Sequence, residues 1–237
     1  MLKNKTFLVT GSSSGIGQSI SEILLRNDAN VIGISRNKNK IEKTKNFFHY
    51  EVNLLDLQKS YENIRKVFLK FKKIDGLISN AGTGEFRSLE NFSPIQIENF
   101  IKLNLTSHII VTRALLPHLK KNKNGNLIFI GSESALKGKK FGSLYSSCKF
   151  GLRGFSQSIR EECSNNNVKV TIINPGMVKT SFFKNLDFSH GTKFDEFIEP
   201  SDISKIVLDL LNYRLEILND YVDYFILVES THTFTGK

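Results

Sequence analysis

Short apolar runs and longer amphipathic stretches alternate from one end of the chain to the other. Strand-like runs occupy Thr6–Thr10, Val31–Ile34, Phe47–Val52, Gly76–Ser79, Asn126–Gly131, Lys169–Asn174 and Tyr224–Val228. Between them, apolar positions recur at helical spacing over Ile16–Arg26, Leu57–Phe71, Ile95–Leu119, Tyr145–Cys163 and Ile203–Leu211. Strands that alternate with helices predict βαβ crossovers and a parallel sheet. The strands are short and nearly continuous in apolar character, as a sheet covered on both faces requires. The pattern therefore predicts an α/β fold: a doubly wound parallel sheet of about seven strands with helices on both faces. No linker, repeat or low-complexity block interrupts it, so residues 1–237 are expected to form one unit. One stretch breaks the alternation. Ser181 to Pro200 carries Phe182, Phe183, Phe188, Phe194 and Phe197. It is long for a connection, and such segments are often lids or binding loops. Its aromatic content predicts a cover over something apolar.

Composition narrows the class. Hydrophobic residues at 40% and charged residues at 24% suit a globular chain with a core of its own. The two cysteines, Cys148 and Cys163, lack metal-ligand or disulfide spacing, so neither a metal site nor a disulfide framework is expected. A reducing cytoplasm fits them. The N-terminus runs straight into a strand without a signal-peptide pattern, and no apolar stretch reaches membrane-span length. The net charge of +10 raises the question of an anionic partner. The lysines, however, are scattered among asparagines, as in Lys38–Lys40 and Lys120–Asn124. That is a solvated surface, and no nucleic-acid motif accompanies it.

Candidate chemistry begins after the first strand, at Thr10-Gly11-Ser12-Ser13-Ser14-Gly15-Ile16-Gly17. Gly11 permits a tight turn, Gly15 a close backbone approach to a ligand, and Gly17 packing of the helix on the strand. The helix N-terminus then offers free N–H groups and a positive dipole end to a pyrophosphate. The second strand leads into Ser35 and Arg36. Dinucleotide folds meet the adenosine ribose there, and a carboxylate would bind a 2′-hydroxyl. A hydroxyl and a guanidinium favour a 2′-phosphate, and hence NADP(H) over NAD(H). Further along, Tyr145 and Lys149 stand at i and i+4, on one helical face. A neighbouring ammonium would lower the phenol's pKa and make Tyr145 a general acid or base. Ser132 follows the strand Asn126–Gly131, at the sheet edge where ligands bind. Taken alone, Asn104 reads as a satisfied polar residue inside a helix. Glu133 faces either substrate or solvent. His108 and His118 read as structural or surface groups, and Asp56 and Asp75 as cap or turn residues.

These motifs together resemble the short-chain dehydrogenase/reductase family in its compact single-domain branch, a Rossmann-type fold. The family's TGxxxGIG matches Thr10 to Gly17, its NNAG matches Ser79-Asn80-Ala81-Gly82, and its YxxxK matches Tyr145 and Lys149. Asn104 and Ser132 match the catalytic Asn and Ser, and Asn174-Pro175-Gly176-Met177-Val178-Lys179-Thr180 matches the PG turn. The resemblance implies an oxidoreductase that carries a hydride between NAD(P) and a carbonyl or alcohol. Tyr145 would exchange a proton with the substrate oxygen, Ser132 would polarise the carbonyl, and Lys149 would tune Tyr145 and hold the nicotinamide ribose. Asn104 would hold a water that relays protons to Lys149. The cofactor would meet Gly11, Ser13, Ser14, Gly15, Ile16 and Gly17, then Ser35, Arg36, Asn53 and Leu54 around adenosine. At the nicotinamide half it would meet Asn80, Ala81, Gly82, Pro175, Gly176, Val178 and Thr180. An Asp is commoner than Asn53 at that position, and Ser79 departs from the first Asn of NNAG, a change expected to matter little.

The resemblance also implies a small-molecule carbonyl or alcohol substrate and a homodimer or homotetramer, without nucleic acid or membrane. A 3-oxoacyl thioester, a small 3-hydroxy acid and another ketone all remain open as substrates. Two other readings compete. A catalytically silent dinucleotide-binding sensor or scaffold would be free to lose Tyr145, Lys149 and Ser132, which are all present. A nucleotide-sugar epimerase usually needs a larger C-terminal substrate domain.

Overall fold

Every residue of β1 (Thr6–Thr10) and β5 (Gly125–Ile130) is buried, because these strands lie inside a sheet covered on both faces. The computed structural model describes residues 2–37, 41–42, 44–71, 73–183, 198–216 and 225–228. The other strands are β2 (Asn30–Ser35), β3 (Phe47–Glu51), β4 (Gly76–Ser79), β6 (Val168–Pro175) and β7 (Phe225–Val228). All pair in parallel, in the order β3-β2-β1-β4-β5-β6-β7. Strand order reverses between β1 and β4, and the carboxyl ends of strands at such a reversal frame a crevice for ligands.

Helices α1 (Gly15–Arg26), α2 (Leu57–Leu69), α3 (Pro94–Ile101), α4 (Ser107–Asn122), α5 (Ser143–Cys163) and α6 (Pro200–Glu216) flank the sheet. On one face, Ile20 and Leu24 of α1 join Val207 and Leu211 of α6 over Val9, Ile128 and Ile173. On the other, Ile64, Val111, Leu115, Leu152 and Ile159 pack on Leu8, Leu77 and Phe129. The doubly wound arrangement thus follows from strands that offer apolar side chains to both sides. At the base of β1, the Asp75 carboxylate accepts the Thr6 N–H at 2.9 Å and pairs with Lys5 and Lys73.

The helix expected over Ile95–Leu119 is two helices joined by a π-helical turn, Lys102–Thr106. Ser93 and Gln96 cap its start reciprocally, with Pro94 in the first turn. The π-turn admits an extra residue and carries Asn104, a placement often seen at functional sites. Of the aromatic segment Ser181–Pro200, residues 184–197, with Phe188, Phe194 and Phe197, lie outside the described residues, as does Tyr224. Its start forms a short 3-10 turn, Ser181–Phe183, and its end is tied back where Ile198 pairs with Val178.

Candidate active site

A cleft of about 560 Å³ opens above the carboxyl ends of β1, β4, β5 and β6. At one end lies the turn between β1 and α1. Gly11 and Gly15 hold φ of +71° and +55°, which an L side chain rarely adopts. Gly17 does not face the cleft. A Cβ there would lie 2.3 Å from the Gly11 carbonyl oxygen, so the missing side chain lets the helix seat against the turn. The N-cap residue Ser14 makes no side-chain capping hydrogen bond to α1, an arrangement that suits an anion at the helix N-terminus. Ser13, Ser14, Gly15 and Ile16 line this end. The Thr10 hydroxyl accepts the N–H groups of Asn80 and Ala81 at 2.9 and 3.1 Å, locking the two loops together.

At the adenosine end, Ser35, Arg36 and Leu54 line the cleft, joined by Asn37 and Val52, which the sequence reading did not single out. Two expectations change here. The Ser35 hydroxyl donates to the Asn37 carbonyl at 2.8 Å and meets His49 Nε2 at 2.8 Å. With its own proton committed, Ser35 accepts from His49, so among the described residues lining this end Arg36 is the side chain left to donate toward an anion. Asn53 is exposed and does not line the cleft. Its side chain accepts the Leu55 N–H, and its backbone carbonyl accepts the Ser60 hydroxyl, so it shapes the turn into α2.

At the reacting end, Ser132, Tyr145 and Lys149 come together, all buried. Ser132 bonds the Tyr145 hydroxyl. Its backbone N–H donates to Asn174 Oδ1 at 3.2 Å, and its hydroxyl accepts the Ser134 N–H. Asn174 therefore sets the position of Ser132, a role that only the β5–β6 pairing exposes. Lys149 Nζ donates to the Ile130 carbonyl at 3.0 Å and sits 5.6 Å from the centre of the Tyr145 ring. Asn104 is fully buried outside the cleft wall. Its Oδ1 accepts the Thr83 N–H at 3.0 Å and its Nδ2 donates to the Phe100 carbonyl. It braces the loop that continues from Gly82.

The expected lowering of the Tyr145 pKa is not what the structure gives. Burial raises the phenol to about 12, and the Ser132 hydrogen bond opposes this only in part. The ammonium stands 5.6 Å from the ring centre, and its hydrogen bond goes to the Ile130 carbonyl. It is itself depressed to about 8 by burial. The pair thus holds a firmly protonated phenol at neutral pH, the form that can give a proton to an oxygen.

Aromatic rings wall this end. Phe86, Phe182 and Phe100 stand 5.1, 5.8 and 6.5 Å from the Tyr145 ring centre. Phe182 packs against Gly84, where a Cβ would sit 2.3 Å from the ring. Phe86 falls in a loop without periodicity, so the sequence carried no signal for it. Asn80, Ala81, Gly82, Pro175, Gly176, Val178 and Thr180 close the cleft at its centre. Glu133 lines it as well, ion-paired with Lys139. Among the described residues no cluster suits a metal ion, and no helix is long and apolar enough to cross a membrane.

A crevice with this turn, a helix N-terminus and a Ser-Tyr-Lys group defines a dinucleotide-dependent oxidoreductase of the doubly wound class. The family model for short chain dehydrogenases matches residues 5–189. A 3-oxoacyl-(acyl-carrier-protein) reductase FabG from Buchnera aphidicola is 31% identical over 100% of this chain and 95% of its own. Two solved structures share the fold. An alcohol dehydrogenase from Thermococcus sibiricus complexed with 5-hydroxy-NADP has a TM-score of 0.82 at 23% identity, covering 99% of this chain and 100% of that one. A 3-ketoacyl-(acyl-carrier-protein) reductase from Brucella melitensis complexed with NADH has a TM-score of 0.81 at 20% identity, covering 89% and 91%. The chain belongs to the short-chain dehydrogenase family and is an NAD(P)-dependent oxidoreductase acting on CH–OH or C=O groups.

Proposed function

We propose that this enzyme reduces a ketone or aldehyde with an apolar portion, using NADPH, through Ser132, Tyr145 and Lys149. The observation that carries the reading is their convergence at one end of a cleft whose other end fits a dinucleotide. The fit rests on the Gly11–Gly17 turn, whose space a Cβ would fill, and on the start of α1, where Ser14 makes no side-chain cap. A bound nicotinamide supplies the hydride. Ser132 holds the substrate oxygen and polarises the carbonyl. Tyr145 gives its proton to that oxygen as charge develops there. Lys149, fixed by the Ile130 carbonyl, sets the field at the phenol and donates to the cofactor's ribose. Asn104 keeps the loop around Thr83 in place and holds the water that replaces the proton.

Phe86 and Phe182 favour an apolar group beside the carbonyl. The FabG relative makes 3-oxoacyl thioesters the first substrates to try, followed by small 3-hydroxy acids and other ketones. Consumption of NADPH and NADH by the purified protein against this panel tests the reading, and no turnover with any member refutes it.

The NADP preference is ours, drawn from exposed Arg36 at the ribose end. Arg36→Asp is expected to weaken NADPH binding roughly tenfold or more and to improve NADH binding relative to it, as loss of a charge-assisted bond predicts. Fluorescence titration with both cofactors checks this, and an unchanged ratio removes Arg36 from the site. A cytoplasmic location belongs to the same reading and is supported by two buried free thiols. So does a homodimer or homotetramer, supported by exposed Leu136 and Phe150 near and on α5.

A further inference from the structure

His49 stands on β3, the edge strand of the sheet, half-buried and outside the cleft wall. In the β2–β3 pairing it lies opposite Gly33, two positions before the partner of Ser35. Its Nε2 meets the Ser35 hydroxyl at 2.8 Å, and that hydroxyl donates to the Asn37 carbonyl at 2.8 Å. A hydroxyl has one proton, and a carbonyl can only accept. The Ser35 proton therefore goes to Asn37, and His49 must be the donor to Ser35. A neutral imidazole meets that demand in its Nε2–H form. Burial lowers the ring's pKa from its usual value, against the Glu51 charge, so the neutral form prevails at pH 7 and above.

These two bonds bracket one residue. Arg36 lies between Ser35 and Asn37, and all three line the adenosine end of the cleft. The chain just before Arg36 is already fixed. The Ile34 carbonyl accepts the N–H groups of Gly11 and Ser12 at 2.8 and 3.3 Å, and the Ser35 carbonyl accepts the Val52 N–H at 3.0 Å. The end of β2 is thus tied to the pyrophosphate turn on one side and to the end of β3 on the other. Beyond Ser35 each residue regains two soft dihedrals, and the bond to the Asn37 carbonyl takes that freedom away before a ligand arrives. Preorganisation of this kind appears as affinity. Packing at an edge strand asks only for a β-former; the N–H given to Ser35 is what the imidazole adds.

We propose that His49 is a positioning residue for cofactor choice: its Nε2–H holds the Ser35 hydroxyl on the Asn37 carbonyl and so sets Arg36 where the 2′-phosphate of NADPH is received. The inference rests on the NADP reading above and on the part given there to Arg36. His49 reaches the cofactor only through Ser35 and Arg36. NADH lacks the 2′-phosphate, so its binding should be indifferent to the imidazole.

The test uses the full chain, fluorescence titration with NADPH and NADH, and nitrogen-15 NMR of the imidazole. His49→Phe keeps a ring to stack on Phe47 and removes the N–H. NADPH affinity is expected to fall about fivefold, the worth of one hydrogen bond, with NADH affinity within about twofold of wild type. His49→Gln retains an N–H donor and should recover most of the loss. In an Arg36→Ala background, His49→Phe should change NADPH affinity by less than about twofold, because the residue it positions is gone. The wild-type ring should show the Nε2–H tautomer. The proposal is overturned by the Nδ1–H tautomer, by a loss of NADPH affinity under about twofold, by an equal loss for both cofactors, or by a loss that persists without Arg36. If His49→Phe does not fold, His49→Leu decides by the same limits. If Arg36→Ala leaves NADPH affinity unchanged, the NADP reading fails and the inference falls with it. If Arg36→Ala loses that affinity while His49→Phe keeps it, the inference alone fails.

Discussion

Tyr145→Phe is expected to lower kcat for carbonyl reduction by about 10³-fold or more, while leaving NADPH affinity within about threefold of wild type. The variant loses only a hydroxyl. The ring would keep its contacts with Phe86, Phe100 and Phe182, so the cleft should hold its shape. What disappears is the proton donor next to Ser132. Stopped assays of NADPH consumption, paired with cofactor titration, separate chemistry from binding. Full turnover in the variant would sink the assigned mechanism. A pH effect accompanies it. Burial lowers Lys149 to about 8, so its charge is present below that pH and lost above it. The phenol stays protonated throughout this range. Wild-type kcat for reduction should therefore decline as pH rises through about 8, and a flat profile to pH 10 would remove the ammonium from the reaction.

Gly17→Ala should produce the other large effect. The added methyl would lie 2.3 Å from the Gly11 carbonyl oxygen and 2.6 Å from Asn80 Nδ2. Neither neighbour can retreat freely. Gly11 donates its N–H to Ile34 at 2.8 Å, and Asn80 is bonded to Thr10 through both its backbone and its amide. Relief must come from moving α1 away from β1. Overpacking of this kind costs about 1–3 kcal/mol of stability. The displaced helix end would also misplace the groups that meet the pyrophosphate, so NADPH affinity should drop by about 10²-fold. Denaturant midpoints and cofactor titration measure the two losses separately. Normal cofactor binding in a folded Gly17→Ala protein would show that the turn tolerates what its geometry forbids.

The alternation of strands and helices was legible because each strand buries both faces and each helix buries one, and both demands leave a periodic mark. The Gly11–Gly17 turn was legible for a similar reason, since only glycine fits. The π-turn left no mark, because apolar spacing runs through Ile95–Leu119 whether or not one extra residue is inserted. Direction of charge was also hidden. Tyr145 and Lys149 looked like a pair in which one tunes the other. The fold buries both and bonds Lys149 to a strand carbonyl, so burial outweighs their mutual effect. Asn174 and Phe86 act through contacts made only across the sheet and the cleft, which spacing along the chain does not encode.

Phe182 rests against the bare backbone of Gly84, with its ring 5.8 Å from that of Tyr145. In an enzyme built this way the choice of substrate is an adjustable fitting attached to a fixed engine. On the function proposed above, drift at Phe182 and Gly84 would change which carbonyl compound is accepted while Ser132 and Lys149 keep their places.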